Sequence, residues 1–271
     1  MARHSIISGG GSGLGLGLAL RLLRRGGRVS VLDLRVTDAA RLQLDEAAAG
    51  SGGAWQFLEA NIADAARVTA AARDAAQAWG APQLAINSAG IIINKVLAET
   101  TAAEFSRVVD VNLNGSFNFA AAVLPTMGKG SRLALIASMA GLTSNYAYAA
   151  YGASKFGVVG LATTLRYEYE PLGIGISCIC PPEVKTPMVA SERANGNPVS
   201  LELKEFAGSL EIDPACDAML AGLDAGRWMI IPGVNSRITA FAARYLPRPF
   251  HAVMHRLICR AMRKHGVVLA R

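Results

Sequence analysis

Ser8-Gly9-Gly10-Gly11-Ser12-Gly13-Leu14-Gly15 stands between the apolar run Ser5-Ile6-Ile7 and a helical run over residues 16–25. Gly26-Gly27 ends that run, and Arg28-Val29-Ser30-Val31-Leu32 reads as the next strand. Strand, glycine-rich turn, helix and strand together have the length a parallel crossover needs. Glycines let the backbone turn tightly and approach a pyrophosphate, while the start of the helix offers free amides and the positive end of its dipole. A loop that merely turned would have no need of this setting, so the context predicts a nucleotide cradle. Asp33 follows the second strand directly. A carboxylate there can accept hydrogen bonds from the adenosine ribose hydroxyls and would repel a 2′-phosphate. Ser12, not Arg or Lys, precedes Gly13, and Arg35 is the one cation close by. NAD is favoured on these residues, with NADP as the alternative.

Further along, residues 55–60 read as a third strand, 65–79 as a helix and 84–86 as a fourth strand that runs into Asn87-Ser88-Ala89-Gly90. Residues 101–125 read as one helix containing Asn112, and 132–137 as the fifth strand with Ser138 at its tip. Residues 174–179 and 228–233 supply the sixth and seventh strands. The alternation predicts an α/β fold: a Rossmann-type, doubly wound parallel sheet of seven strands, helices on both faces, ligands at the carboxyl ends of the strands.

Tyr151 and Lys155 are four residues apart and share one face of a helix. A phenol has a reference pKa of about 10, and a nearby ammonium lowers it by favouring the phenolate. The pair therefore reads as a proton-transfer device. Asn112, a poor helix former in mid-helix, is expected to have a polar task. A lysine on a helix is commonly a solvated charge and a serine at a strand end merely a hydroxyl. The joint spacing of Asn112, Ser138, Tyr151 and Lys155 on a nucleotide fold carries the functional reading.

The 271 residues suffice for one large domain or two small ones. Apolar residues at 52% and charged residues at 17% fit a globular enzyme and exclude a disordered chain. Cys178, Cys180, Cys216 and Cys259 lack zinc spacing and read as thiols, the first two buried in a strand, and no metal site is expected. Met1-Ala2-Arg3-His4 leads straight into a strand, which leaves no room for a secretory signal and makes the cytoplasm the expected compartment. The longest uncharged stretch, residues 133–154, is too polar for a membrane span. From Ile231 onward there are eight Lys/Arg and no Asp/Glu, against an overall charge of +7. The basic character is thus a property of the C-terminal part.

With these motifs placed, the chain resembles the short-chain dehydrogenase/reductase family. The family's Thr-Gly-x-x-x-Gly-x-Gly is similar to Ser8-Gly9 … Gly13-Leu14-Gly15, and its Asn-Asn-Ala-Gly to Asn87-Ser88-Ala89-Gly90. Its catalytic asparagine, serine, tyrosine and lysine match Asn112, Ser138, Tyr151 and Lys155. The agreement runs over about residues 3–232 in five ordered motifs. Ser8 replaces a threonine but keeps the hydroxyl, Asn61 stands where an aspartate often meets the adenine, and Pro182 replaces a glycine. The resemblance implies hydride transfer at a secondary alcohol or ketone. Tyr151 would exchange the proton, Lys155 would lower its pKa and bind the nicotinamide ribose, Ser138 would hold the substrate oxygen, and Asn112 would hold a water relay. It implies cofactor contacts at Gly9, Ser12, Gly13, Leu14, Gly15, Asp33, Asn61, Ile62, Asn87, Ala89, Gly90, Tyr151, Lys155, Pro181, Val184 and Thr186. A homodimer or homotetramer is a further implication.

Residues 1–235 are expected to form the catalytic domain, with residues 187–212 as a substrate lid; ordinary packing of that segment is the alternative. Residues 236–271 form a basic, amphipathic extension that Pro247 and Pro249 should divide into two helices. Such helices can lie peripherally on an anionic membrane, here the inner face, cover the pocket, or pack on a partner subunit; nucleic acid is not expected. The tail and Pro181-Pro182 also resemble the subgroup acting on sphingoid ketones. The leading expectation is an NAD-dependent dehydrogenase of a hydrophobic secondary alcohol: a steroid, a long-chain lipid or a hydroxyacyl chain. The alternatives are an NADPH-dependent ketone reductase of the 3-ketosphinganine type, and a non-catalytic nucleotide-binding scaffold docked on a membrane.

Overall fold

The computed structural model describes residues 3–267; Met1, Ala2 and residues 268–271 of the expected extension lie outside the described residues. The chain runs β1 (His4–Ser8), α1 (Gly13–Arg24), β2 (Arg28–Asp33), α2 (Asp38–Ala49), β3 (Ala54–Glu59), α3 (Ala65–Trp79) and β4 (Leu84–Asn87). It continues through α4 (Ala102–Val109), α5 (Gly115–Val123), β5 (Arg132–Ile136), α6 (Ala149–Tyr169) and β6 (Gly175–Ile179). β7 (Glu183–Val184) follows, and the segment 187–212, the expected lid, holds α7 (Pro187–Asn195), α8 (Pro198–Ala207) and β8 (Ser209–Leu210). Then follow α9 (Ile212–Asp224), β9 (Met229–Ile230), α10 (Val234–Tyr245) and α11 (Pro247–Lys264).

Seven strands form one parallel sheet in the order β3-β2-β1-β4-β5-β6-β9. Successive residues of each strand go to opposite faces, and both faces are covered, as a parallel sheet requires. Ile6, Leu133 and Leu135 pack with Val68, Phe119 and Val158 from α3, α5 and α6. Ile7, Ala134 and Ile136 pack with Leu18, Leu44 and Met219 from α1, α2 and α9. Full burial of each large side chain contributes about 1.5–3 kcal/mol. The strand order reverses between β1 and β4, and that switch point is where a doubly wound sheet opens a crevice at its carboxyl edge.

Two expectations need correction. The helix expected over residues 101–125 is broken into α4 and α5 by a π turn at Asp110–Asn114. Asn112 lies in that turn, fully buried. Its side chain bonds the backbone of Ile91 in both directions, at 2.8 and 2.9 Å, while its carbonyl accepts the Ser116 hydroxyl at 2.5 Å. These outside partners accompany a locally widened helix. In the tail only Pro247 marks a break; Pro249 falls inside the first turn of α11, where the missing N–H has no intrahelical acceptor to lose.

The tail does not stand away from the rest. Ala261, Leu257, Ile258 and Met262 of α11 pack on Val199 and Leu203 of α8 and on Tyr146. Glu202 of α8 accepts from Lys264 at 3.1 Å and meets His265 at 2.8 Å. Among the described residues no helix is long and apolar enough to cross a membrane.

Candidate active site

The turn between β1 and α1 is built so that only glycine fits at several points. Gly9 and Gly13 adopt φ of 64° and 52°, in the left-handed region that disfavours other residues. A Cβ on Gly15 would lie 2.0 Å from the carbonyl oxygen of Gly9. The loop therefore closes directly over the first turn of α1. The Ser12 side chain makes no capping hydrogen bond, so the α1 amides face the crevice without a side-chain acceptor. At the end of β2, Asp33 is held by the amides of Gly11 (2.9 Å) and Leu34 (2.7 Å).

Across the crevice stand the residues expected to carry the chemistry. One cavity of about 1200 Å³ is lined by Gly9, Ser12, Gly13, Leu14, Asp33, Asn61 and Ile62, and equally by Ala89, Gly90, Ser138, Tyr151, Lys155, Pro181, Val184 and Thr186. Gly15, Asn87 and Asn112 do not line it; they stand behind the wall. Asn87 accepts the Ser8 hydroxyl and donates to Ser116 at 2.8 Å. Asn112 donates to Ser154 at 3.0 Å, and Ser154 donates to the carbonyl of Tyr151 at 2.8 Å. A continuous buried polar chain thus runs from the root of the glycine turn to the tyrosine. Ser8 does in it what its hydroxyl allows. Thr186 caps α7 and faces Gly13, where a Cβ would come within 3.5 Å of its methyl group.

The electrostatics depart from the sequence expectation. Tyr151 is not acidified by Lys155. Burial pushes its phenol up to about 12, opposed by a hydrogen bond with the Ser138 hydroxyl. Burial likewise brings the Lys155 ammonium down to about 8. The amine donates to the carbonyl of Ile136 at 3.0 Å and stands 5.7 Å from the centroid of the Tyr151 ring. Both charged forms are disfavoured in the same dry wall, and desolvation outweighs their attraction.

The remainder of the cavity is lined by residues outside the sequence motifs. Tyr146, Met188, Val189 and Leu203 line it with Phe250, Met254, Leu257 and Ile258 of α11. The spacing 250, 254, 257, 258, 261 is helical and apolar, and it marks the α11 face that turns inward. Tyr148, Glu183, Glu192 and Lys204 also line the cavity, and they form a buried polar cluster. Nothing in their sequence positions distinguishes them from surface charges.

The glycine turn that a Cβ would fill, the open α1 amides and the clamped Asp33 carboxylate suit a dinucleotide: phosphates at the helix start and a ribose at Asp33.

The model of the family described as "short chain dehydrogenase" matches residues 3–197. A 3-dehydrosphinganine reductase of Arabidopsis thaliana is 32% identical over 233 residues, which are 84% of this chain and 69% of that protein. A cyclohexanol dehydrogenase of an Acinetobacter strain is 36% identical over 189 residues, 69% of this chain and 74% of that one. Among solved structures, a short chain dehydrogenase/reductase from Burkholderia phymatum in complex with NAD superposes with a TM-score of 0.79 at 24% identity, covering 90% of this chain and 93% of that one, a likeness of fold. Glycine turn, seven-stranded sheet and matched model agree, and the chain belongs to the short chain dehydrogenase family of NAD(P)-dependent oxidoreductases.

Proposed function

We propose that the protein transfers hydride between NAD and a hydrophobic secondary alcohol or ketone, such as a steroid, a long-chain lipid or a hydroxyacyl chain. The observation that carries this reading is the single cavity that joins Asp33 and the glycine turn to Ser138, Tyr151 and Lys155, with an apolar wall beyond them. A nicotinamide held there would supply or accept the hydride. Tyr151 takes the hydroxyl proton in oxidation and returns it in reduction. Ser138, which lines the same cavity beside the phenol, orients the substrate oxygen and stabilises charge developing on it. Lys155 supplies positive charge beside the phenol and a donor for the nicotinamide ribose. Asn112 fixes the wall behind Lys155 and serves the water relay between that amine and solvent. Gly9, Ser12, Gly13 and Leu14 receive the pyrophosphate, with Gly15 letting the turn close behind them; Asp33 receives the ribose, Asn61 and Ile62 the adenine. Ala89, Gly90, Pro181, Val184 and Thr186 frame the nicotinamide half, and Asn87 supports that wall from behind through Ser8 and Ser116.

A second reading, an NADPH-dependent reductase of a sphingoid ketone, draws on the similarity to the Arabidopsis 3-dehydrosphinganine reductase and on Arg35, exposed two residues beyond Asp33. Fluorescence titration separates the two. The dissociation constant is expected to be lower for NADH than for NADPH, and NADH should form when NAD is supplied with an apolar secondary alcohol from a steroid, acyl and sphingoid panel. Preference for NADPH would overturn the role given to Asp33.

Two surfaces support wider parts of the reading. Phe105, Phe117 and Phe156 are exposed on α4, α5 and α6, a surface suited to a homodimer or homotetramer. On α10, Val234, Ile238, Phe241 and Tyr245 follow helical spacing and are each more than half exposed. With arginines on both sides and no acidic residue after Ile231, this face suits peripheral attachment to an anionic membrane.

A further inference from the structure

Tyr148 precedes Tyr151 by three residues, and the two rings meet edge-on with centroids 5.3 Å apart. Tyr148 is buried and follows Ala147, which is held at φ 62°, a strained value for a residue with a Cβ. Such a backbone persists only where its surroundings over-determine it. Tyr148 is held by a backbone bridge to Lys95 and, at the other end of the ring, by its hydroxyl, which donates to Glu192 Oε1 of α7 at 2.5 Å.

Glu192 is itself buried and gathers the segments around the pocket. Its Oε1 also accepts from Asn94 Nδ2, on the loop after β4, at 2.8 Å. Its Oε2 accepts from Lys204 Nζ of α8 at 2.5 Å. The same Nζ lies 2.5 Å from Glu183 Oε2 of β7, whose other oxygen accepts from Arg193. An apolar cluster of the same volume would hold these segments together as well or better, because buried ion pairs recover little beyond their desolvation cost. A buried carboxylate kept beside a proton-transfer residue points to its charge as the useful property.

We propose that Glu192 is a positioning residue that ties the lid to Tyr148 and, through that ring and its own negative charge, holds Tyr151 in place and protonated. The proposal rests on the reading of Tyr151 as the proton-transfer residue. The groups facing Tyr151 are Ser138 after β5, Lys155 on α6, Cys180 after β6, Tyr148 before α6, and Glu192 on the lid. Ser138 favours the phenolate, whereas Glu192 disfavours it by like charge. Tyr148 stays a phenol throughout, held up by burial and by Glu192. When the lid is seated the carboxylate is near and the proton stays on Tyr151; when the lid lifts, that opposition is lost.

The test compares full-length wild type, Glu192→Gln and Tyr148→Phe, each checked for folding by circular dichroism. With NAD and cyclohexanol as probes, the limb of the kcat/KM profile that reports the base should move to lower pH in Glu192→Gln by about half a unit or more. In Tyr148→Phe, which keeps the carboxylate, KM should rise several-fold while that limb moves less than it does in Glu192→Gln. Rapid pH-jump absorbance of tyrosinate, taken as the difference from Tyr151→Phe, should show the same shift without turnover. Hydrogen exchange over residues 183–207 should quicken several-fold in both variants. Superposable tyrosinate titrations of wild type and Glu192→Gln would overturn the proposal, as would unchanged lid exchange in both variants. Failure of wild type to oxidise any secondary alcohol would instead refute the proposed function, leaving titration and exchange to decide this one.

Discussion

Lys155 shows at the residue scale how the site opposes stability. Its amine is buried against the carbonyl of Ile136. It titrates at about 8 in the folded protein, against 10.5 for the free side chain. Below pH 8 the amine is charged in both folded and unfolded chains, and the folded one carries the whole desolvation cost. Above 10.5 it is neutral in both and the cost is gone, so stability attributable to this group rises across that window. Lys155→Met should therefore be more stable than wild type at neutral pH by about 1–3 kcal/mol, while losing nearly all turnover. Thermal melts at several pH values check it: the advantage should shrink as pH climbs from 8 to 10.5. A variant less stable than wild type at neutral pH would show that packing, not charge, dominates there.

At the scale of elements, the glycine turn and the first turn of α1 pack too closely for a methyl group at Gly15. In Gly15→Ala the new methyl would clash with the Gly9 carbonyl. The variant should lose about 1–3 kcal/mol of stability and bind NADH at least tenfold more weakly, by melting and fluorescence titration. An unchanged dissociation constant would remove this turn from the cofactor site.

The same element explains what could be read in advance. Strand, glycines, helix and Asp33 lie within one short stretch, and local chemistry dictates their arrangement. The meeting of Ser138, Tyr151 and Lys155 in one cavity wall was legible by spacing, although the π turn that seats Asn112 was not, because the side chain's partner there is the backbone of Ile91 on another segment. The helix α2 has a local start signal, the Thr37 cap on the amide of Ala40. Glu192 and Tyr148 lie 44 residues apart, and buried charges carry no mark in sequence until folding removes their water. The upward push on the Tyr151 phenol is hidden for the same reason: spacing shows neighbours but not dryness.

Across the whole molecule, α11 turns one face to the cavity while α10 leaves its apolar face exposed. If α10 meets anionic lipid, Phe241→Asp with Tyr245→Asp should abolish co-sedimentation with vesicles containing phosphatidylglycerol, and leave oxidation of a water-soluble alcohol within about twofold, since neither residue lines the cavity. Sedimentation of both proteins alike, or of neither, would end the membrane reading; loss of a dimer in gel filtration would assign the face to a second subunit.

The strand order also bears on how this protein comes into being. β1 is the first strand of this sheet in chain order, yet it lies inside the sheet and pairs on one side with β4, which ends at Asn87. While a ribosome is still delivering the intervening segment, the nascent chain therefore holds a greasy strand with one open flank. Slow synthesis would lengthen that interval, and an early-binding chaperone is the helper such a birth order calls for.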